Sequence, residues 1–301
     1  MDGPVRWRMP LDAPCVVPNP HGSEFAVGPS RPLLVIGGPC TLESLELGLK
    51  VGRELKASCE AAGLPYVFKA SFDKANRSSA GSPRGPGLEQ GLGWLEQIGR
   101  ELGCLVTTDI HLPEQAEAVA EVVSIIQIPA FLCRQSDLLE AAANAAASRE
   151  LVVNVKKGQF LSPAEMLGPV RKLHEAGCDN VLLTERGTFF GYHRLVTDFI
   201  GVGDMIELDR SVFCDRGPAP VCFDATHSLQ LPGSGAQTGG RPERGPMLAM
   251  AAVAAGVHAL FIESHPKPSE AWSDGATQLP IETAASVIAQ AAKLRACMDS
   301  V

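Results

Sequence analysis

Phe68-Lys69-Ala70-Ser71-Phe72-Asp73-Lys74-Ala75-Asn76-Arg77-Ser78-Ser79 continues an apolar, strand-like run at 64–67 and leads into a Gly/Pro-rich loop at 80–87. Three cations, three hydroxyls and an amide therefore stand where a strand stops and a loop begins. Lys69 and Ser71 alternate, so one strand face carries both. Asn76, Arg77, Ser78 and Ser79 form a run of hydrogen-bond donors suited to gripping a phosphate. A charge cluster is more often a solvated face. Here the shared strand face and the donor run favour a phosphate site.

The same pattern recurs along the chain. Eight short apolar runs, at 33–40, 66–72, 104–111, 124–130, 151–157, 180–187, 220–227 and 259–265, each end in a polar or reactive cluster. Helical periodicity separates most of them, at 45–62, 88–102, 164–176 and 247–256, and a last helical stretch fills 281–297. One polar residue marks each strand end: Cys40, Lys69, Asp109, Gln127, Lys156, Arg186, His227 and Glu263. The intervals are 29, 40, 18, 29, 30, 41 and 36 residues. Strands alternating with helices predict a parallel sheet, and eight units predict a closed (β/α)8 TIM barrel, α/β in class. The 18-residue interval leaves room only for a short crossover helix. A doubly wound open sheet is the alternative, but no GxGxxG follows the first strand.

The barrel is expected to be a single domain over 32–301. Residues 1–31 contain six prolines and read as an N-terminal arm. Within it, 5–9 and 24–27 are expected as short strands of a small hairpin, with Trp7 and Phe25 to pack it on the domain.

With 301 residues, 45% of them hydrophobic, the chain can build one large core. No apolar run reaches the ~18 residues of a membrane span, and Met1 to Pro10 lack the apolar centre of a signal peptide, so the expectation is cytoplasmic, with no membrane partner. The nine cysteines are scattered without a CxxC pair and are expected to be reduced, buried, small apolar residues. A net charge of -8 argues against nucleic acid. An anionic ligand would need positive charge focused in a cleft.

In a (β/α)8 barrel, functional side chains gather at the C-terminal strand ends. Three of those ends are cationic here: Lys69 with Lys74, Lys156 with Lys157, and Arg186. Singly each fits a snorkelling surface residue; together at one mouth they make a site for a multiply charged anion. Cys40, His227, Glu263 and Asp274 are ligand types of Zn²⁺, Fe²⁺ or Mn²⁺ sites, although a lone Cys after Gly-Pro or a lone strand-end His also fits a structural role. Asp109 and His111 share a strand face and could orient a hydroxyl or move protons. The glycine-rich 233–240 has no GKS or GKT, which excludes a Walker-type loop, and reads as a lid over the mouth. Trp94 and Trp272 read as packing residues.

Eight stretches, FKASFDKANRSS (68–79), RGPGLE (84–89), TTDIH (107–111), IQIPAFLCRQ (126–135), NVKKGQF (154–160), TERGTFFGY (184–192), FDATHSLQ (223–230) and FIESHP (261–266), resemble the 3-deoxy-D-manno-octulosonate 8-phosphate synthase family, in that order and over nearly nine-tenths of the chain. The family is a (β/α)8 barrel of transferases. The resemblance implies condensation of phosphoenolpyruvate with D-arabinose 5-phosphate and water, giving the eight-carbon sugar acid phosphate of lipopolysaccharide biosynthesis and inorganic phosphate. It implies that Lys69, Lys74, Gln127, Lys156 and Arg186 hold phosphoenolpyruvate, with Ser71 on the same face. Asn76, Arg77 and Ser78 would meet arabinose 5-phosphate, partly with a neighbouring subunit of a homotetramer, and Asp109 would lie near the sugar hydroxyls. Lys69, Lys74, Asp109, Lys156, His227 and Asp274 become the expected catalytic set. Metal-independent members carry Asn at the position of Cys40, so Gly-Gly-Pro-Cys resembles the metal-dependent type, with Cys40, His227, Glu263 and Asp274 as expected ligands of Mn²⁺, Zn²⁺ or Fe²⁺. After Asp274 the chain departs from the Gly-Pro pair common in relatives. The rivals are a 3-deoxyheptulosonate 7-phosphate synthase using erythrose 4-phosphate, which carries a Lys-Pro-Arg-Thr segment where this chain has KANRSS, and a non-catalytic sugar-phosphate binding barrel.

Overall fold

Eight parallel strands follow one another around a closed barrel: β1 (Leu34–Gly38), β2 (Tyr66–Lys69), β3 (Leu105–Asp109), β4 (Ile125–Ile128), β5 (Val152–Lys156), β6 (Val181–Glu185), β7 (Val221–Asp224) and β8 (Ala259–His265). Neighbours in sequence are neighbours in the sheet, and β8 pairs with both β7 and β1, which closes the ring. The computed structural model describes residues 14–18, 25–75, 83–233 and 238–300. The (β/α)8 architecture is the one the strand rhythm predicts.

Helices pack outside the ring. They are α1 (Leu45–Ala62), α2 (Leu88–Leu102), α3 (Ala116–Ala120), α4 (Ser136–Ala147), α5 (Leu167–Glu175), α6 (Phe199–Ile206), α7 (Gly245–Ala254) and α8 (Ile281–Asp299). The first shows why such a segment is a helix. Ser44 caps it by accepting from the Leu47 N–H, Val51, Leu55 and Cys59 recur on its buried face, and Gly63 closes it in the left-handed conformation. The tight interval before β4 is bridged by a 3₁₀ turn and the five-residue α3. Two helices, α4 and α6, are hard to see in the sequence because the first is largely alanine and the second is short and largely apolar.

Alternation also sorts each strand. Val35, Phe68, Val106, Ile126, Val153 and Leu260 belong to the large cluster shared with the helices. The residues between them, Leu34, Val67, Leu105, Ile125, Val152 and Leu182, form a second cluster inside the barrel. The N-terminal hairpin, Cys15–Val17 paired antiparallel with Phe25–Val27, places Cys15, Val17 and Val27 in that inner cluster and so plugs the base. Asn180 ties it down, with its Oδ1 accepting from the Val16 N–H at 3.0 Å and its Nδ2 donating to the Val16 carbonyl at 2.6 Å. The first hairpin strand is thus Cys15–Val17; the strand expected at 5–9, with Trp7, lies outside the described residues.

Toward the C-terminal ends the inward positions turn polar. Gly38 permits this at β1, because a Cβ there would meet the Lys69 carbonyl oxygen. Bare backbone lets β1 lie close against β2 just below Cys40. An antiparallel arm, Thr188–Gly191 with Arg194–Val196, projects after β6 through a turn with positive φ at Tyr192 and His193.

Candidate active site

A pocket of about 600 Å³ opens at the C-terminal strand ends. Lys69, Ser71, Lys74, Asp109, Gln127, Lys156, Arg186, His227 and Asp274 all line it. They come from six strand ends, β2 to β7, and the loop after β8, and only closure of the ring brings the last of these beside the first.

The lysines are buried and paired. Lys69 Nζ donates to Glu263 Oε1 at 2.6 Å and to the Cys40 carbonyl at 3.2 Å. Lys156 Nζ donates to Asp224 Oδ2 at 2.6 Å. Both ammoniums face the Phe261 ring, 5.3 and 3.8 Å from its centroid. The ring favours the cations without neutralising them. Lys74 donates to Ser71 Oγ at 2.8 Å. Burial would lower the Lys74 pKa, but the Cys40 sulfur and the Asp109, Glu263 and Asp274 carboxylates outweigh burial and hold the ammonium above its ordinary range. Burial lowers the pKa of Arg186, whose Nη2 donates to Gln230 Oε1 at 2.6 Å.

The acids respond in the opposite sense. Burial would raise Asp224, yet His227, Lys156 and Arg186 hold it well below the carboxylate range. Asp109 is likewise held well below that range, burial being outweighed by the His111 hydrogen bond and by Lys74 and Lys69. His111 Nε2 stands 3.1 Å from Asp109 Oδ2, the proximity expected from their alternation. Glu263 and Asp274 are lowered against burial, the first by Lys69 and the second by His227. Burial pushes the Cys40 thiol well up, and Glu263 adds to this. Its sulfur therefore needs a cation beside it to ionise.

Cys40 Sγ, a ring nitrogen of His227 and carboxylate oxygens of Glu263 and Asp274 all lie within 4.8 Å of one another. Cys40 Sγ is 3.2 Å from Asp274 Oδ2, and His227 Nε2 is 3.6 Å from Glu263 Oε2 and 4.0 Å from Asp274 Oδ2. His227 Nδ1 donates to Asp224 Oδ2 at 2.7 Å, which leaves Nε2 with its lone pair toward the other three. Glu263 Oε2 is buried without a hydrogen-bond partner. One thiol, one imidazole and two carboxylates aimed at one point, with a buried oxygen unsatisfied, fit a divalent transition metal.

Glu263 Oε2 is one of several such atoms at this mouth. Asp109 Oδ1, Gln127 Oε1, Gln159 Oε1 and Arg186 Nη1 are also buried without partners, and their residues line the pocket. Native interiors satisfy nearly all buried polar atoms, so a concentration of exceptions marks where a ligand would complete them.

Several expectations are corrected. Lys157 does not join the mouth: alternation turns it away from Lys156, and it is buried against Glu185, Thr188 Oγ1 and the Leu161 carbonyl. Trp272 is not core packing: it is 42% exposed and lines the pocket, and its backbone N–H donates to Glu43 Oε1. Asn76, Arg77 and Ser78 lie outside the described residues. So does the centre of the expected lid, although Gln230–Leu231 pairs with Gly239–Gly240 at its two ends, and Pro232 and Thr238 line the pocket.

Four residues escaped the sequence reading. Asp224 joins Lys156 to His227 through one oxygen. Gln230 joins Arg186 to Asp274, donating to Asp274 Oδ1 at 2.9 Å. Gln278 donates to the Ser273 carbonyl and accepts from the Cys40 N–H at 3.2 Å, so it binds both sides of the ligand set. Gln159 offers its unpartnered oxygen to the pocket. Asp224 had a signal, as the carboxylate that closes the apolar run beginning at 220; the glutamines carry none.

The profile of the DAHP synthetase I family matches residues 16–297. The chain is 47% identical over 292 residues to a 2-dehydro-3-deoxyphosphooctonate aldolase of Desulfotalea psychrophila, covering 97% of this chain and 100% of that one. It is 50% identical over 255 residues to the protein of that name from Protochlamydia amoebophila, covering 84% and 88% of the two chains. With its counterpart from Nitratidesulfovibrio vulgaris it shares 52% identity over 249 residues, 82% of this chain and 86% of the other.

Proposed function

The chain belongs to the DAHP synthetase I family, and from that premise we propose that it condenses phosphoenolpyruvate with D-arabinose 5-phosphate and water, giving 3-deoxy-D-manno-octulosonate 8-phosphate and phosphate. It is an enzyme of the transferase class, like the relatives named for that octonate. The observation that carries the reading is one mouth holding Lys69, Lys74, Lys156 and Arg186 beside Cys40, His227, Glu263 and Asp274.

The chemistry follows from the charges. Lys69, Lys156 and Arg186, with Lys74 and the Gln127 amide, bind the phosphate and carboxylate of phosphoenolpyruvate and fix its plane. C3 of the enol phosphate attacks the aldehyde carbon of the sugar phosphate, whose C=O pair moves onto its oxygen, and the electron pair lost from the enol double bond leaves positive charge at C2. Water adds at C2, one of its protons going to the new alkoxide and the other leaving with phosphate as C–O cleavage forms the ketone. Buried carboxylates kept ionised by their partners stabilise the charge at C2, and catalysis is mostly positioning and electrostatics. Asp109, with His111 on one of its oxygens, accepts from a sugar hydroxyl through the unpartnered Oδ1.

Cys40, His227, Glu263 and Asp274 would hold the divalent metal, Mn²⁺, Zn²⁺ or Fe²⁺. When bound it supplies Lewis-acid polarisation and orientation without redox chemistry. The protein acts in the cytoplasm as a homotetramer. All nine cysteines are free, which supports a reducing compartment; among the described residues no helix is long and apolar enough to cross a membrane. Phe131, Phe160 and Ile200, exposed near the β4–β6 side of the rim, support a face covered by another subunit; a fully active monomer in light scattering would exclude the tetramer.

Phosphate release with each acceptor tests the function. Arabinose 5-phosphate should be turned over with higher kcat/KM than erythrose 4-phosphate, and equal or better use of the latter would overturn the reading. Arg77→Ala should raise KM for the sugar phosphate far more than for phosphoenolpyruvate, since a charged hydrogen bond contributes about 1.5–3 kcal/mol.

A further inference from the structure

Metal-type donors converge a second time, at the N-terminal end of the barrel. His174 sits in the last turn of α5, Asp179 in the lead-in to β6, and Cys214 in the turn after α6. His174 Nδ1 is 2.7 Å from Asp179 Oδ1, and Cys214 Sγ is 3.3 Å from the same oxygen. All three donor atoms lie within 4.8 Å of one another.

We propose that His174, Asp179 and Cys214 form a second divalent-metal site, separate from the mouth, for a borderline ion such as Zn²⁺.

Nitrogen, oxygen and sulfur donors together are a zinc-type set, and three protein ligands leave a fourth position for water. That position is accessible, because the side chains of His174 and Asp179 are 33% and 37% exposed while Cys214 is buried. Bonds of 2.0–2.3 Å to a tetrahedral ion set its donors about 3.4 Å apart. The sulfur and the carboxylate already stand at that separation, and the half-exposed imidazole need withdraw by less than about 1 Å. The nearest cation does not compete for the carboxylate. Arg210 spends Nη1 on the Asp179 carbonyl and Nε on the Gly217 carbonyl. Its charge partly opposes the incoming ion; a bound thiolate and carboxylate supply two negative charges against both. Loading balances simply. The imidazole carries its proton on Nε2 instead of Nδ1, the thiol releases one proton to solvent, and both lone pairs turn to the metal.

A metal here would join the end of α5, the start of β6 and the segment before β7, on the barrel face associated with stability and away from the chemistry. Because only the folded chain brings the three donors together, binding would stabilise the fold by mass action.

The test uses purified full-length protein, stripped with chelator, reloaded with Zn²⁺ and desalted, then read by elemental analysis and, after Co²⁺ loading, by the thiolate charge-transfer absorption. Wild type should hold two equivalents per chain. Cys214→Ser and His174→Gln should each hold one with kcat unchanged, and Zn²⁺ should raise the melting temperature of Cys40→Ala but not of Cys40→Ala/Cys214→Ser. His174→Gln, altering a half-exposed residue, keeps the test open if Cys214→Ser folds poorly. One equivalent in wild type that survives both base variants would overturn the proposal. One equivalent lost with Cys214→Ser and kept in Cys40→Ala would uphold the base site and reject the mouth site.

Discussion

At the base of the barrel, Leu34, Val67, Leu105, Val152 and Leu182 meet the hairpin's Cys15 and Val17 in an apolar cluster. At the mouth, the same strands point Lys69, Asp109, Lys156, Asp224 and Glu263 into the same lumen, nearly as deeply buried. The first arrangement stabilises by removing apolar surface from water. The second takes charges out of water, and a buried ion pair is often no better for stability than an apolar replacement, sometimes worse by 1–4 kcal/mol. Lys69 and Lys156 are nevertheless each held by a carboxylate at hydrogen-bond distance, Glu263 and Asp224. The difference shows which end stabilises the fold and which is maintained for ligands.

Lys156→Met should break that contrast most. Asp224 would lose its 2.6 Å partner and keep a buried charge, so unfolding free energy in urea should fall by about 3–5 kcal/mol. Removing one preorganised cation from the reacting centre should lower kcat by about 10²–10³-fold. Adding Asp224→Asn should restore most of the stability and none of the activity. If the single variant is as stable as wild type, the mouth is not charge-compensated in the way the distances imply.

Gln278→Leu should act more narrowly. Asp274 adopts φ +50, a left-handed conformation that costs a non-glycine residue about 1–2 kcal/mol. Its carbonyl accepts from the Thr277 and Gln278 N–H groups, and the Gln278 side chain reaches across to the Cys40 N–H. Without it, metal affinity measured by chelator competition should weaken by about 10–100-fold with the melting temperature little changed. Unchanged affinity would mean that the loop holds Asp274 by backbone alone.

How much of this was legible in the sequence follows the same division. The barrel was legible because alternation and apolar runs are local: every one of the eight predicted runs contains its strand. The site's charged residues were legible because strand ends are countable and the mouth is where such ends meet. One miss was local and the others were not. Lys157 differs from Lys156 by one position, which in a strand means the opposite face. Gln230 and Gln278 act by spanning from one loop to another, and a glutamine in a loop looks the same whether it bridges or dangles. The second donor cluster was invisible for the same reason, since its members come from three segments.

The smallest expected effect separates the two ends by acid. His258 begins the lead into β8 at the base, with Nδ1 accepting from the Val221 N–H at 2.9 Å. Burial first, then the nearby Arg295 charge, lower its pKa from 6.5 to about 4. The folded chain therefore keeps the ring neutral where the unfolded chain would protonate it. Its contribution is complete above the unfolded value of 6.5 and is lost as pH falls toward about 4. One pKa unit corresponds to about 1.4 kcal/mol, so roughly that much should go between about pH 7.5 and about pH 5.5. Asp109, Asp224 and Glu263 at the mouth have lowered pKa values instead. Their contribution stands above the ordinary carboxylate range and goes only at lower pH. Mild acid should thus weaken the base before it touches the mouth. His258→Asn retains an acceptor for Val221 and cannot titrate, so its urea-unfolding free energy should stay flat across that interval while wild type declines. If both decline in parallel, the proton is taken up elsewhere and the two ends do not separate by pH.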